Sequence, residues 1–202
     1  MSFLLLGFFT GLSLILAIGA QNIFVIEQGL KKQYVFLVCL ICSISDFLLI
    51  FLGIFLFEYF RNFFTDNVEL VFNILLLAFL IYFIISKIKI NYYERDVDFK
   101  KNTVPLKNIV IKTLGFTYFN PHVYSDTVFF LGNFSKNFLI SQKYYFGIGA
   151  SIASFLFFFC LGYLSKFLSK YLQNQIVWRF INSFIVAFMS ILAFYVLLDI
   201  FY

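Results

Sequence analysis

Charged residues are scarce in this sequence, and long stretches have none. Only 12% of the 202 residues are Asp, Glu, Lys or Arg, whereas 62% are hydrophobic and 33 are Phe. No ordinary soluble domain has this balance. Phe3–Ile26, Tyr144–Ser165 and Phe180–Leu198 contain no charged residue. This scarcity leaves no room for a soluble domain of appreciable size.

Six apolar segments are each about as long as a helix that crosses a bilayer, although the third is short. They are Phe3–Ile26, Tyr34–Phe57, Leu70–Ser86, Thr113–Ser135, Tyr144–Ser165 and Phe180–Leu198. A transmembrane β-barrel would show short alternating segments, and hydrocarbon offers no partner for loose backbone groups. Phe3–Ile26 lacks a basic leader, so it is read as the first span and not as a signal peptide. The sequence predicts an all-α integral membrane protein with about six transmembrane helices.

Positive charge is absent from the apolar segments and unevenly shared among the loops. Twelve of the fifteen Lys and Arg residues follow the first, third and fifth segments, while Arg61, Lys136 and Lys143 lie in the other loops. Because cytoplasmic loops carry the excess of Lys and Arg, we expect both termini outside. The net charge of +5 then reports membrane orientation. Binding of nucleic acid would need a soluble basic face, which the sequence lacks.

A single histidine and three cysteines limit the chemistry that the chain can perform. Cys39 and Cys42 have a redox-like spacing, but they and Cys160 lie in apolar segments, where thiols act as small apolar fillers. The sequence has no Gly-x-Ser-x-Gly motif and no cluster of metal ligands. We therefore expect no catalytic residues, metal or cofactor. An integral membrane enzyme and a non-transporting assembly or sensor subunit are the alternatives from other classes.

The chain divides into two sets of three segments, residues 1–86 and 113–202, joined by a basic cytoplasmic loop at 87–112. Together they form one membrane domain. Because each half has an odd number of spans, the two halves insert with opposite orientation, as in an inverted repeat. The loop is interpreted as a solvated linker, with contact to anionic lipid or regulation as the alternative.

The first segment of each half is interrupted. The interruptions read Gly19-Ala20-Gln21-Asn22 and Asn120-Pro121-His122. Pro121 lacks an N–H and disfavours helical geometry at Asn120, so the fourth span should kink or break there, while Gly19 loosens the first span less forcefully. Paired interruptions in corresponding spans indicate a transport site. Kinks with a purely structural purpose are the alternative.

Two carboxylates, Asp46 and Asp126, lie inside apolar segments. Each costs about 2.5–3.5 kcal/mol at the centre of a span, so both should face the bundle interior, with no basic residue deep in any span to pair with them. Alternatively, they are hydrogen-bonded and only tie helices together. His122 could relay protons or close the kink. Glu27 and Asp199 are interpreted as boundary residues that reach interfacial water.

The residues around the two interruptions and the two carboxylates resemble those of the lysine/arginine exporter (LysE) family, especially its ArgO-like branch. The similar strings in the first half are Gly19-Ala20-Gln21-Asn22-Ile23-Phe24-Val25, Gln28-Gly29 and Ser45-Asp46. In the second half they are Gly115-Phe116-Thr117, Asn120-Pro121-His122-Val123-Tyr124, Asp126-Thr127, Phe146-Gly147, Ala150-Ser151 and Trp178-Arg179. Family members usually carry a proline before the first string, where this chain has Leu16-Ala17-Ile18.

The resemblance implies export of the basic L-amino acids arginine and lysine from the bacterial cytoplasm across the inner membrane, driven by the membrane potential or a proton gradient. Members of the wider superfamily move threonine, homoserine and other solutes, so a neutral amino acid or a cation is the alternative substrate. Small residues such as Gly147 and Gly149 permit close packing with a helix of this chain or of a second copy.

The working hypothesis is alternating access between the two halves. The residues proposed for substrate binding or coupling are Gln21, Asn22, Asp46, Asn120, His122, Tyr124 and Asp126, with Gly19 and Pro121 at the helix breaks. The amides, the imidazole and the freed backbone groups would hold the α-amino and carboxylate ends of the substrate. Asp46 and Asp126 would attract its cationic side chain or carry protons.

Overall fold

A computed structural model describes residues 2–16, 19–63, 65–93, 104–120, 123–169 and 175–201. Every regular element in these ranges is helical, which confirms the all-α class. The helices are α1 (Phe3–Ile15), α2 (Ala20–Lys31), α3 (Val35–Phe63), α4 (Asp66–Tyr93), α5 (Leu106–Tyr118), a π-helical segment (Tyr124–Phe130), α6 (Leu131–Ser135), α7 (Ile140–Leu168) and α8 (Gln175–Phe201).

The first predicted span is two helices. The helix α1 ends at Ile15, α2 begins at Ala20, and the two axes differ in direction by 83°. An interruption of this span was expected at Gly19, and the backbone at Gly19 is extended, between the end of α1 and the start of α2. The side chain of Asn22 donates from Nδ2 to the carbonyl of Ile15 at 3.2 Å. That bond satisfies one of the carbonyls that the end of α1 leaves without a helical partner.

The fourth predicted span is broken as expected. The helix α5 ends at Tyr118, and regular structure resumes with the π-helical segment at Tyr124. The hydroxyl of Tyr124 donates to the carbonyl of Tyr118 at 3.0 Å, so a side chain beyond the break again bonds the end of the helix before it. Pro121 and His122 lie outside the described residues.

The segment 87–112 contains more helix than a linker would. The helix α4 continues to Tyr93 and α5 begins at Leu106, and residues 94–103 lie outside the described part of the chain. A helix can run past the hydrocarbon because its Lys side chains reach water while their aliphatic stems cover apolar surface. The hydrophobic pattern marks where charge begins, which is not where the helix ends.

The distribution of polarity is the reverse of that in a soluble protein. Large apolar side chains face outward along all the long helices, with Phe180 75% exposed and Ile191 68% exposed. Polar side chains such as Gln21, Ser43 and Asp46 are buried. An apolar surface of this extent needs lipid around it.

Among the described residues, Val35–Phe57 and Ile140–Leu168 are long and apolar enough to cross a membrane. The bent pair α1–α2 counts as a third span if it is taken as one element. Shorter apolar stretches occur in α4 and α8, at Asn73–Ile85 and Ser183–Leu198. The chain is thus a membrane protein that crosses the bilayer more than once.

The helix α7 is the centre of the packing. It contacts α1, α2 and α3, while α4 packs on α8 and α3 also contacts α5, the π-helical segment and α6. The approach of α1 to α7 is close: a Cβ at Gly7 would overlap the carbonyl of Phe146, and one at Gly149 would overlap the carbonyl of Leu4. Small residues let membrane helices approach to backbone contact, where van der Waals packing holds them together.

Candidate functional site

A cavity of about 540 Å³ lies where the two broken spans meet. Its volume is within the range of about 300–1,000 Å³ usual for small-molecule sites. Every long helix contributes to its wall, and so do both breaks. A Cβ built at Gly19 would lie 4.0 Å from Nδ2 of Asn120, so the two interruptions are direct neighbours.

Six of the residues proposed from the sequence line this cavity. They are Gly19, Gln21, Asn22, Asp46, Asn120 and Asp126. They come from both halves of the chain, α2 and α3 in the first and the region after α5 in the second. None of the described residues in the cavity wall is Lys or Arg. The site is therefore polar at the breaks and acidic in its ionisable groups.

Asp46 is 3% exposed and reaches the cavity from the middle of α3. The hydroxyl of Ser154, on α7, donates to its Oδ2 at 2.7 Å. This bond is of the kind that the helix-tie alternative requires. Because the same carboxylate also faces the cavity, the tie does not exclude a role with substrate.

The π-helical segment brings Asp126 to the cavity. Val123, Asp126 and Thr127 face the cavity, together with Leu131 at the start of α6. The hydroxyl of Thr127 donates to the carbonyl of Val123 at 2.5 Å. Single turns of π-helix occur frequently at functional sites, because the wider turn changes which side chains share a face. Here the wider turn places a carboxylate and its neighbouring hydroxyl side by side.

The N-terminus of α2 lies at the cavity. The first turn of this helix, which includes Gln21 and Asn22, forms part of the cavity wall. No side chain caps this end of the helix, so its first backbone N–H groups have no side-chain capping partner. The amide Nε2 of Gln21 is buried and has no hydrogen-bond partner among the described residues. A helix N-terminus and a buried donor are suited to an anionic group such as a carboxylate.

Tyr124 is not in the cavity wall, because its hydroxyl is bonded to the end of α5. Its proposed role in substrate binding or coupling therefore stays a prediction. The string that suggested it puts Asp126 and Thr127, not Tyr124, on the cavity side of the π-helical segment. His122 and Pro121 lie outside the described residues, so their proposed roles stay predictions.

Sequence reasoning missed several residues of the site. Thr127 and Tyr195 line the cavity, and Leu76, Leu80 and Phe158 form apolar parts of its wall. Ser154 donates a hydrogen bond to Asp46. Thr127 stands in the family-like Asp-Thr string and could have been included on that signal. Nothing in a single sequence separates Ser154 from the other serines of its helix, because which one meets Asp46 depends on how α3 and α7 pack.

An aromatic cluster lies beside the cavity, in the direction of the basic loops. Phe24 of α2, Phe116 of α5, and Phe79 and Phe83 of α4 form it. The ring centroids of Phe24 and Phe116 are 5.1 Å apart, and those of Phe79 and Phe116 are 4.7 Å apart. The Nζ of Lys112 lies 5.7 Å from the centroid of Phe83. The four rings close the space between α2, α4 and α5.

The sequence position of Glu27 suggested a boundary residue that reaches interfacial water, but the structure buries it. Its side chain is 2% exposed, and Oε1 is 2.6 Å from Nζ of Lys31, one turn later on α2. Neighbouring helices cover this end of α2, because α7 and α5 pack against it. Asp199 has no described side chain.

The three cysteines occupy two kinds of environment. Cys39 and Cys42 are buried in α3, Cys160 is exposed on α7, and the thiol of Cys39 donates to the carbonyl of Phe158 at 3.2 Å. The prediction of apolar fillers fits the first two. Among the described residues, no group of three or more His, Cys, Asp or Glu side chains is arranged to hold a metal ion.

The sequence of this chain is similar to those of known transport proteins. The family described as LysE type translocator matches residues 12–200. The arginine exporter protein ArgO of Pectobacterium atrosepticum is 33% identical over 190 residues, which cover 89% of this chain and 88% of the relative. ArgO of Klebsiella pneumoniae is 32% identical over 199 residues, covering 93% and 90%. No solved structure matches the chain. Since the family match covers residues 12–200, which include both breaks and nearly the whole chain, this chain belongs to the LysE family of translocators.

Proposed function

We propose that the protein is a secondary transporter that exports basic L-amino acids, arginine foremost, from the bacterial cytoplasm across the inner membrane. The observation that carries the proposal is a cavity with two carboxylates, Asp46 and Asp126, and no Lys or Arg among its described wall residues. A cationic substrate supplies the opposite charge. Relatives that align over nearly the whole chain are named arginine exporters.

The cavity has complementary ends for an amino acid that carries a positive side chain. The carboxylate of the substrate is held by the start of α2 and the amides of Gln21 and Asn120. The cationic side chain turns toward Asp46 and Asp126, and the low dielectric of the apolar surroundings strengthens the attraction between opposite charges. Leu76, Leu80 and other apolar wall residues enclose the aliphatic stem.

The six-span inverted repeat is supported by matching contacts in the two halves. The two halves of the first broken span, α1 and α2, pack on α7, and those of the fourth, α5 and the π-helical segment with α6, pack on α3. Exchanging the halves exchanges α3 with α7, so the pattern is that of two related units. The side-chain caps of Asn22 on α1 and Tyr124 on α5 repeat it at the breaks.

Transport then proceeds by alternating access, with the substrate exposed to one side of the membrane at a time. The aromatic cluster closes the side toward Lys31 and Lys107, which the distribution of positive charge makes the cytoplasmic side. Substrate entry requires α2 and α5 to separate, which parts Phe24 from Phe116. The membrane potential or a proton gradient drives export.

The test is efflux from proteoliposomes that contain only this protein. Vesicles are loaded with labelled arginine, lysine or threonine, and a potential is imposed in either direction. We expect saturable loss of arginine and lysine, with a rate that depends on the sign of the potential, and no loss of threonine. Loss of threonine alone would overturn the substrate but keep the transporter. Absence of movement of any solute from folded protein would overturn transport and favour an assembly or sensor subunit.

A further inference from the structure

The bond between Ser154 and Asp46 connects α7 to the wall of the cavity. Both side chains are buried, Ser154 fully and Asp46 to within 3%. Ser154 itself is not among the residues that line the cavity. Any effect of Ser154 on a substrate must therefore pass through Asp46.

The hydroxyl of Ser154 bonds differently from most of the described Ser and Thr hydroxyls in the helices of this protein. Ser and Thr side chains in helices commonly donate to the carbonyl four residues earlier. Seven described residues do so here: Thr113, Thr117, Thr127, Ser135, Ser151, Ser165 and Ser190. Ser154 donates across to α3 instead. The Asp46 oxygen on α3 thus replaces the carbonyl of the same helix as the acceptor.

We propose that Ser154 is a positioning residue for substrate binding: its hydroxyl fixes the Asp46 carboxyl group and directs it at the cationic group of the substrate. The inference rests on the export function proposed above. A buried carboxylate loses the stabilisation that water gives, and a fixed donor replaces part of it. The donor also fixes one carboxylate oxygen, which sets the direction of the group across the cavity. Because an alcohol can accept as well as donate, the same residue stays bonded when Asp46 takes up a proton.

The test compares Ser154→Ala with Ser151→Ala in arginine efflux. Ser151 is matched: it is buried on the same helix one turn earlier, but its hydroxyl donates to the carbonyl of Gly147 at 2.8 Å. We expect Ser154→Ala to raise the KM for arginine about tenfold while the maximal rate per inserted protein stays near wild type, the size expected when a charged group loses one hydrogen bond. Ser151→Ala should leave both quantities unchanged.

Several results would overturn the inference. A lower maximal rate or a lower thermal midpoint in Ser154→Ala, with KM unchanged, would make the bond a helix tie only. Equal behaviour of the two alanine variants would also overturn it. Ser154→Cys, which keeps the size of the side chain with a weaker donor, is expected to give an intermediate KM, and it carries the comparison if Ser154→Ala does not fold. Because wild-type efflux is measured in the same vesicles, failure of the export function itself appears separately, as absence of transport in every sample.

Discussion

At the scale of one residue, Asp46 combines a contact between helices with a place in the cavity wall. Its carboxylate is bonded to Ser154 on one side and faces the cavity on the other. A charged group at that depth costs about 2.5–3.5 kcal/mol on insertion scales. The bond to Ser154 offsets part of that cost, and the rest is consistent with a group retained for its interaction with a substrate or proton.

The substitution Asp46→Asn separates the two roles. An asparagine oxygen still accepts from Ser154, so the contact between α3 and α7 is kept while the negative charge is lost. We expect arginine efflux to fall by more than about 100-fold, since removing one partner of a buried charged interaction costs about 3–5 kcal/mol. Efflux per inserted protein is the measurement, with Ser43→Ala as control, because Ser43 is buried on the same helix but outside the cavity wall. Normal export by well-expressed Asp46→Asn protein would remove the proposed role.

Single residues of the site were predictable where charge or chain breaks marked them. Asp46, Asp126, Gln21 and Asn120 were found because each is polar where an apolar residue is expected. Ser154 could not be found, because most helical serines here bond their own helix and only packing reveals the exception. The bond from Tyr124 to the end of α5 could not be found for a related reason, because the sequence does not locate the last residue of that helix.

At the scale of elements, the two broken spans are the features on which the site depends. Each break leaves backbone groups without helical partners, and in each a side chain beyond the break bonds the last carbonyl before it. The proline predicted the second break. The first break forms without a proline. Its backbone is extended at Gly19, and the side chain of Asn22 bonds the carbonyl of Ile15 at the end of α1.

The substitution Tyr124→Phe tests whether this capping bond serves stability or substrate binding. Removing the hydroxyl frees the carbonyl of Tyr118 and should lower the free energy of unfolding by about 0.5–1.5 kcal/mol. Because Tyr124 does not line the cavity, the KM for arginine should stay at the wild-type value. Thermal unfolding in detergent and efflux kinetics give the two quantities. The matched control is Tyr118→Phe, which keeps the accepting carbonyl.

A different outcome would restore the role suggested by the sequence. If Tyr124→Phe raised the KM strongly and left thermal stability unchanged, the hydroxyl would act on the substrate. The capping bond would then be a minor feature of the break.

At the scale of the molecule, the two halves are interleaved. Each half contributes a broken span that packs against the long helix of the other, α7 or α3, and the cavity forms only where both are present. The hydrophobic pattern predicted apolar helices, and among the described residues Val35–Phe57 and Ile140–Leu168 are long enough to cross a membrane, with the bent pair α1–α2 as a third if it is taken as one element. It could not predict that α4 and α5 extend into the basic loop, because in water as in lipid a helix satisfies its own backbone groups.

The orientation of the halves can be tested with single cysteines. Replacing Cys39, Cys42 and Cys160 by Ala removes every native thiol in the sequence. Single cysteines are then introduced as Ser2→Cys, Lys101→Cys and Lys136→Cys, and labelled with a membrane-impermeant maleimide in intact and permeabilised cells. Preserved arginine efflux is the control that each variant is folded.

Six spans with both termini outside put residues 2 and 136 outside and residue 101 in the cytoplasm, as the excess of Lys and Arg around residue 101 indicates. We therefore expect Ser2→Cys and Lys136→Cys to be labelled in intact cells, and Lys101→Cys only after permeabilisation. Labelling of residue 2 only after permeabilisation, with residue 136 labelled from outside, would leave the first broken span re-entrant. The matched packing of the halves on α7 and α3 would then have arisen without opposite insertion, and the inverted repeat would be wrong.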